Sequence, residues 1–327
     1  MVLPGPSYAL RSDAMHLADD IAQRRNLDAT WVRQTLAQAR YMPAIAKAIA
    51  PPPVGTAKNW RVYRSRFVEP VRIKAGVAFW QAHADTLRRA QAETGVPPEI
   101  IVGIIGVETL YGQQMGSFRV LDALATLAFD FPASHPRAAQ RSAYFKDELE
   151  NYLSLTQHNG TDPLRLLGSY AGAMGMPQFM PSSWVKYAID FDGDGLIDLF
   201  SSPADAIGSV ANYFKAYGWQ KDLPTHYPVS FDATKLELQA LLLPDILPTF
   251  SAASFQDKGA VLEGAGRQHC GKLALVELQN GDDAPGYVAG TDNFYVITRY
   301  NWSSYYAMAV IELGQAVMRA LIPHDKP

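Results

Sequence analysis

The stretch Ile100-Ile-Val-Gly-Ile-Ile-Gly-Val-Glu108-Thr-Leu-Tyr-Gly112 carries a single charge among residues that are otherwise apolar, Gly, Thr or Tyr. Read as a helix, it places Ile101, Ile104 and Ile105 on the stripe that carries Glu108, at spacings of seven, four and three. A carboxylate on an apolar stripe costs free energy unless it is paired or neutralised. Proton donation is one use for such a group. The other reading is a paired structural Glu, with Arg119 or Arg141 as the partner. Pro97-Pro98 opens the helix, and Glu99 is favourable in its first turn. Gly103 and Gly106 each weaken the helix by about 1 kcal/mol relative to Ala. That predicts close packing of another backbone, or of a ligand, against them.

Outward from this helix the chain reads as mostly helical. Residues 8–50 have apolar positions at helical spacing, with Asp28 as a cap before Trp31 and Leu36. Residues 51–55 (Pro-Pro-Pro-Val-Gly) form a break. Residues 71–94 read as a helix ending at Gly95, and further helical patterns cover 119–129, 137–157, 203–217 and 303–321. After Trp219 the character changes. Leu273-Ala-Leu-Val-Glu-Leu278 is β-like, Asn280-Gly281 is a turn signal, and Phe294-Tyr-Val-Ile-Thr298 is a second strand candidate. The expectation is a mainly α (α+β) protein with a small β region near residues 222–300.

At 327 residues, with 48% hydrophobic and 19% charged residues, the chain is an ordinary globular protein with room for more than one domain. A net charge of -3 with scattered Lys and Arg argues against nucleic acid as a partner. No apolar run approaches the roughly 18 residues that span a bilayer. The opening Met1-Val-Leu-Pro-Gly-Pro shows no signal-peptide pattern. The single Cys270 excludes an internal disulfide and fits either redox compartment.

Asp190-Phe-Asp192-Gly-Asp194-Gly195-Leu196-Ile-Asp198-Leu-Phe-Ser201 fits a calcium-binding EF-hand loop, residues 190–201. Asp190, Asp192 and Asp194 supply oxygen ligands, Gly195 the sharp turn, Leu196 a backbone carbonyl, and Asp198 the ninth position. Ser201 replaces the bidentate Glu at position 12, which predicts a weaker site than a sensor. Four carboxylates so close together repel one another unless a cation sits among them. The alternative is an acidic turn without metal. A lone loop of this kind suits a structural clip.

One carboxylate with a raised pKa suits a general acid that protonates a leaving oxygen. Most glycosidases add a second carboxylate about 5–10 Å away. The candidates are Asp122 and Asp130, each of which also reads as a surface or capping residue. Without a second carboxylate the mechanism must recruit a substrate group, as an N-acetyl sugar can through its acetamido oxygen.

Gly168-Ser-Tyr-Ala-Gly-Ala-Met-Gly-Met-Pro-Gln178-Phe179-Met-Pro-Ser-Ser-Trp184, with Val107-Glu108-Thr and Asp205-Ala-Ile-Gly-Ser-Val-Ala-Asn-Tyr213-Phe, resembles the B-type lytic murein transglycosylases. The resemblance extends to Trp60-Arg-Val-Tyr63-Arg, Gly76-Val-Ala-Phe-Trp80, Phe294-Tyr-Val-Ile-Thr-Arg-Tyr-Asn301 and the 190–201 loop. It implies a lysozyme-like catalytic core with an additional helical domain and a small β domain. The corresponding segments are 1–90 (completed by 301–327) for the helical domain, 91–221 for the core and 222–300 for the β domain. It implies cleavage of the bond between N-acetylmuramic acid and N-acetylglucosamine by attack of the muramic O6, giving a 1,6-anhydro end without consuming water. Glu108 aligns with the single catalytic acid, which then acts as base. Ser169, Gln178 and the backbone around Met174 align with polar groups of the substrate site. Tyr63, Tyr144, Phe179, Tyr213 and Tyr306 align with its aromatics, and Asn301 and Arg141 with polar contacts. Gln140 stands where a second Arg often precedes Arg141, and Leu110-Tyr111 replaces a more usual Arg-Trp pair.

The resemblance also implies peptidoglycan glycan strands as substrate, structural Ca2+ with no organic cofactor, and other cell-wall enzymes as partners. The protein is expected to be a monomer in the periplasm, with any outer-membrane lipid anchor carried by residues beyond this sequence. Two rivals differ in outcome: a hydrolytic muramidase, in which Glu108 activates water, and a non-catalytic peptidoglycan- or calcium-binding module. Other signals fail on their own terms. Gly266-Arg-Gln-His-Cys-Gly271-Lys272 has Leu273 where a phosphate loop needs Ser or Thr. His269-Cys270 has no second pair at zinc spacing. Ser169 lacks the upstream Gly of a nucleophile elbow.

Overall fold

The computed structural model describes residues 4–50 and 58–322. The proline-rich break at residues 51–55 lies outside the described residues. The chain is 54% helical with few strands, which makes it a mainly α protein. Its contacts divide it into two compact units, Met1–Val54 with Gly112–Ala206 and Gly55–Tyr111 with Ile207–Pro327. The boundary near residue 206 falls inside one helix, Pro203–Ala216. Among the described residues no helix is long and apolar enough to cross a membrane.

In the first unit the helices Ser12–Arg25 and Ala29–Ala37 pack together, separated by Asn26 in the left-handed conformation. Asp28 caps the second of them by accepting the Trp31 N–H at 2.7 Å. The core lies between Val120–Phe129 and Ala138–His158, where Leu121, Leu124, Phe145, Leu149 and Leu153 are buried. A short antiparallel ladder pairs β1 (Phe118–Arg119) with β2 (Leu167–Gly168). It closes tightly, because a Cβ on Gly116 would stand 2.1 Å from the Gly168 carbonyl oxygen.

In the second unit, the helix Pro98–Thr109 packs against the C-terminal helix Ser304–Leu321. The glycines explain how closely they approach. A Cβ on Gly103 would meet the Val310 carbonyl oxygen at 2.3 Å, and one on Gly314 would meet the Glu99 carbonyl oxygen at 1.9 Å. The helical cost of Gly103 is thus offset by backbone-to-backbone packing, as the sequence suggests. The same unit carries a four-stranded antiparallel sheet of β3 (His226–Phe231), β4 (Ala260–Leu262), β5 (Ala274–Asn280) and β6 (Asp283–Gly290), in the order β4-β3-β6-β5. β5 and β6 form a hairpin with Val276 opposite Val288, and Gly281 takes φ 66° in its turn. Tyr227, Leu241, Phe255, Leu262, Leu275 and Ala289 form the core beneath it.

Two expectations need correction. Phe294–Thr298 is not a strand but most of a helix, Asp292–Thr298, with Thr291 accepting the Asn293 N–H as cap. A five-residue apolar run carries no period that separates strand from buried helix, and Phe294, Val296 and Ile297 are all buried here. The helix read over 71–94 is two, Pro70–Ala82 and Ala84–Thr94, broken at His83 without Pro or Gly to mark it. Strands β3 and β6 escape the pattern because Pro228 and the Ala-Pro-Gly at residues 284–286 sit inside them.

Candidate active site

Glu108 occupies the last turn of the helix Pro98–Thr109. Ile101, Ile104 and Ile105 on its stripe are fully buried. The helix then stops abruptly, since Leu110 and Tyr111 both take left-handed backbone angles (φ 49° and 57°). Such angles cost non-glycine residues on the order of 1 kcal/mol each and are held only by surrounding packing. Tyr111 packs its ring against Gly76 and Gly106, where a Cβ would stand 2.4 and 2.5 Å from the hydroxyl. Arg72 donates from Nη1 to the Gly106 carbonyl, two residues before the acid.

The Tyr306 hydroxyl donates to Glu108 Oε1 at 2.5 Å. No Lys, Arg or His among the described residues forms an ion pair with Glu108, so the paired-Glu reading lacks its cation. Arg119 is engaged with Asp122 at 2.6 Å. The Arg141 guanidinium lies over the rings of Tyr144 and Phe145, 5.2 and 5.1 Å from their centroids. Burial pushes the Glu108 carboxyl up to about 7, against the smaller opposite effect of the Tyr306 hydrogen bond. Its side chain nevertheless keeps partial solvent exposure. The result is a desolvated acid that a ligand can still reach. Because Oε1 accepts the tyrosine proton, the acid's own proton belongs on Oε2.

Around Glu108 stands a set of tyrosines. Tyr306 stacks on Tyr300 with centroids 6.4 Å apart, and Tyr300 meets Tyr213 at 4.9 Å. Tyr213 donates its hydroxyl to the Arg299 carbonyl at 2.8 Å. Tyr63 is half-buried against Phe67 and Tyr305. Burial first, and then the negative charge of Glu108, raises the hydroxyls of Tyr63, Tyr300 and Tyr306, so they remain protonated donors. Tyr300 is absent from the candidates read from sequence, although it directly precedes Asn301. Asn301 is exposed, and its carbonyl accepts the Ser303 N–H at 2.7 Å.

The remaining candidates belong to the first unit. Ser169, Met174, Gln178 and Phe179 share one folded loop. Met174 and Phe179 exchange two backbone hydrogen bonds, at 2.9 and 3.0 Å. Ser169 Oγ accepts the Ala171 and Ala173 N–H groups, which leaves its own hydroxyl proton free to donate. Gln178 holds φ 52° and donates from Nε2 to the carbonyls of Met115 and Gly175 at 3.1 and 3.0 Å. That orients the amide and leaves Oε1 as an acceptor. Tyr144 is 38% exposed, and burial followed by the nearby Glu148 raises its hydroxyl. Glu148 is itself anchored by the Ser182 N–H and hydroxyl at 2.8 and 2.6 Å. Neither candidate second carboxylate is free. Asp122 pairs with Arg119 and accepts the Arg40 N–H at 2.8 Å. Asp130 pairs with Arg11 at 2.7 Å and accepts the Tyr8 hydroxyl at 2.5 Å.

In the 190–201 loop, the carboxylates of Asp190, Asp192 and Asp194 lie within 4.8 Å of one another. Asp190 accepts the Gly193 and Gly195 N–H groups at 2.6 and 2.9 Å, and these bonds hold its carboxyl below the usual range. Gly193 and Gly195 take φ 81° and 91°, as the tight turns require. Three convergent anionic oxygens on glycine-shaped turns suit a hard cation. Asp198 stands outside this cluster, and its Oδ1 caps the Phe200 and Ser201 N–H groups at 2.8 and 2.9 Å. Leu196 is exposed. Asp205, missed by the loop pattern, staples the loop by accepting the Phe191 and Asp198 N–H groups at 2.7 and 2.8 Å.

Residues 10–315 match the family profile described as the transglycosylase SLT domain. The chain belongs to this family. It is 42% identical to membrane-bound lytic murein transglycosylase B of Escherichia coli (strain K12), over 97% of this chain and 86% of that protein. Among solved structures it is similar to the Escherichia coli lytic transglycosylase Slt35 in complex with calcium, at 41% identity and TM-score 0.84, covering 97% of this chain and 96% of that one. It is also similar to SltB3 of Pseudomonas aeruginosa in complex with NAG-anhNAM-pentapeptide, at 29% identity and TM-score 0.74, covering 93% and 79%. The mainly α, lysozyme-like fold expected from the sequence is the fold of these neighbours.

Proposed function

We propose that the protein is a lytic murein transglycosylase that cleaves the β-1,4 bond between N-acetylmuramic acid and N-acetylglucosamine and leaves 1,6-anhydromuramic ends. The observation that carries this is the state of Glu108: an acid held near neutrality, bonded to Tyr306, with both candidate second carboxylates, Asp122 and Asp130, held in ion pairs. In the first step Glu108 Oε2 gives its proton to the glycosidic oxygen as the C1–O bond breaks. The muramic acetamido oxygen then bonds C1 and takes up the developing positive charge. In the second step the Glu108 carboxylate removes the O6 proton. O6 displaces the acetamido oxygen from C1, which closes the anhydro ring and leaves Glu108 protonated again. Water is not consumed. The Tyr306 hydroxyl favours the carboxylate form in mid-cycle, half-buried Tyr63 can offer a face to a sugar ring, and Tyr213 and Tyr306 are buried behind it as support.

Ser169 and Gln178 supply a donor and an acceptor for sugar amides and hydroxyls. The Met174 backbone, Phe179, Tyr144, Arg141 and Asn301 complete the contacts. Residues 91–221 would carry the chemistry, with 1–90, 301–327 and 222–300 as flanking segments that support it. Asp190, Asp192 and Asp194 would hold a structural Ca2+, with Leu196, Asp198 and Ser201 completing the loop. A monomer in the periplasm, working on glycan strands beside other cell-wall enzymes, fits this activity. The test is mass spectrometry of the products. Anhydromuramic ends, lighter by one water than reducing ends, are expected. Reducing ends alone would establish the hydrolytic alternative, and unchanged activity in Glu108→Gln would remove the acid from the mechanism.

A further inference from the structure

We propose that the 190–201 loop sets the position of Gln178, so that a cation held there tunes glycan affinity, and that Gly175 is the positioning residue through which it does so. The proposal rests on the glycan-cleaving and calcium readings above and adds a link between the two sites. All of its residues belong to the first compact unit.

The link is one peptide group. The peptide between Gly175 and Met176 is planar and trans, so its N–H and C=O point in opposite directions. The Met176 N–H donates to the Leu199 carbonyl, in the acidic loop, at 2.8 Å. The Gly175 carbonyl accepts two bonds from Gln178, from its backbone N–H at 3.2 Å and from its Nε2 at 3.0 Å. A shift of Leu199 therefore tilts the plane on which the Gln178 amide is anchored. Gly175 lets the two segments come this close. It takes φ 69°, in the left-handed region, and a Cβ there would stand 2.6 Å from the Leu199 carbonyl oxygen. A second tie runs beside the first. The Phe200 ring meets that of Trp184 at 5.9 Å, on the helix Pro181–Tyr187 that follows the Gln178 loop.

Leu199 is fully buried and is held by the acidic loop on both sides. The Asp198 N–H donates to Asp205 Oδ2 at 2.8 Å, and Asp198 Oδ1 caps the next two N–H groups along the chain after Leu199. Ser202 donates its N–H to the Asp198 carbonyl at 3.1 Å and its hydroxyl to Asp192 Oδ2 at 2.7 Å. Asp192 is one of the three convergent carboxylates. Their mutual repulsion works against the Asp192–Ser202 bond, and a bound cation removes it. Segment 198–202, with the Leu199 carbonyl inside it, is then fixed from both ends. A clip that only stabilises the fold would leave glycan affinity unchanged wherever the protein stays folded. The shared peptide instead couples the two equilibria, so cation and glycan raise each other's affinity by the same factor.

The test uses Glu108→Gln protein, which leaves the glycan uncut, and isothermal titration with a peptide-free tetrasaccharide of alternating N-acetylglucosamine and N-acetylmuramic acid. Titrations run with calcium chloride and with excess chelator, at a temperature where circular dichroism shows both forms folded. Calcium should tighten the tetrasaccharide by roughly fivefold or more, and saturating tetrasaccharide should tighten calcium by the same factor. Adding Gly175→Ala should weaken the tetrasaccharide and abolish its calcium dependence, while direct titration still shows calcium binding. Equal tetrasaccharide affinity with and without calcium overturns the proposal. So does a calcium dependence that survives Gly175→Ala, and so does a loop that takes up no calcium. The paired titrations need no loop substitution, so a misfolded Gly175→Ala variant does not blunt the test. Failure of the glycan-cleaving reading shows separately, as an absence of anhydro ends when the unsubstituted protein acts on peptidoglycan.

Discussion

Glu108 and Asp190 are both carboxylates on short, glycine-punctuated stretches, and their surroundings push them in opposite directions. Glu108 stands on a buried apolar stripe with one hydrogen-bond donor, and desolvation raises it to about 7. Asp190 stands in a partly exposed loop with two backbone N–H groups on its oxygens, and these lower it. Desolvation penalises the charged form, whereas hydrogen bonds to the carboxylate favour it. The first environment makes a group that can deliver and retrieve a proton near neutral pH. The second makes a permanent anion suited to holding a cation.

The largest expected effect breaks this contrast at its functional end. Glu108→Gln removes the proton proposed to depart and return, and turnover should fall by roughly 10²–10⁴-fold with glycan binding retained. Product analysis under single-turnover conditions, beside a binding titration, checks both halves. At the other end, Asp190→Ala removes a proposed calcium ligand and the acceptor for two N–H groups. It should lower the melting temperature measured with calcium present. Excess chelator should lower the melting temperature of the unsubstituted protein and leave that of the variant unmoved. A melting curve indifferent to chelator would reduce the loop to an acidic turn.

The pH dependence of stability sharpens the same comparison. For Glu108 the folded carboxyl is raised from 4.5 to about 7. Its neutral form is therefore favoured by folding, and stability is lost as pH rises from the unfolded value through the folded one. Glu108→Gln should be more stable than the unsubstituted protein by about 3 kcal/mol at pH 8 and nearly equal to it at pH 4. Asp190 runs the other way, with its contribution present above the unfolded value and lost on acidification. The smallest effect belongs to Tyr306→Phe. It deletes the donor that favours the Glu108 carboxylate, so the pH–rate profile should shift upward, with a rate loss of about tenfold or less.

Much of the site was legible in sequence because its signals are local. A lone charge at helical spacing from three Ile, a calcium-loop pattern and a Gly-rich run ending in Gln178-Phe179 need no tertiary information. Other elements lacked such signals. The buried run at Phe294–Thr298 has the composition of a strand and becomes a helix through its cap and its packing. His83 breaks a helix with no breaker residue. Tyr300 sits beside a residue that was singled out, yet only its stack between Tyr306 and Tyr213 shows its place. Asp205 lies four residues beyond the loop pattern, and its role is to satisfy two backbone N–H groups inside the loop, at Phe191 and Asp198.

By itself the sequence determined the family and the mainly helical class and offered Glu108 and the acidic loop as candidates, because each is written in residue type and spacing along the chain. Only the tertiary structure decided that Glu108 is desolvated, that Tyr306 is its partner across 198 positions, and that Asp122 and Asp130 are already spoken for. Burial and hydrogen bonding between distant residues depend on how closely the helices approach. Gly103 against Val310 and Gly314 against Glu99 set that distance, and no single stretch of sequence contains both sides of it.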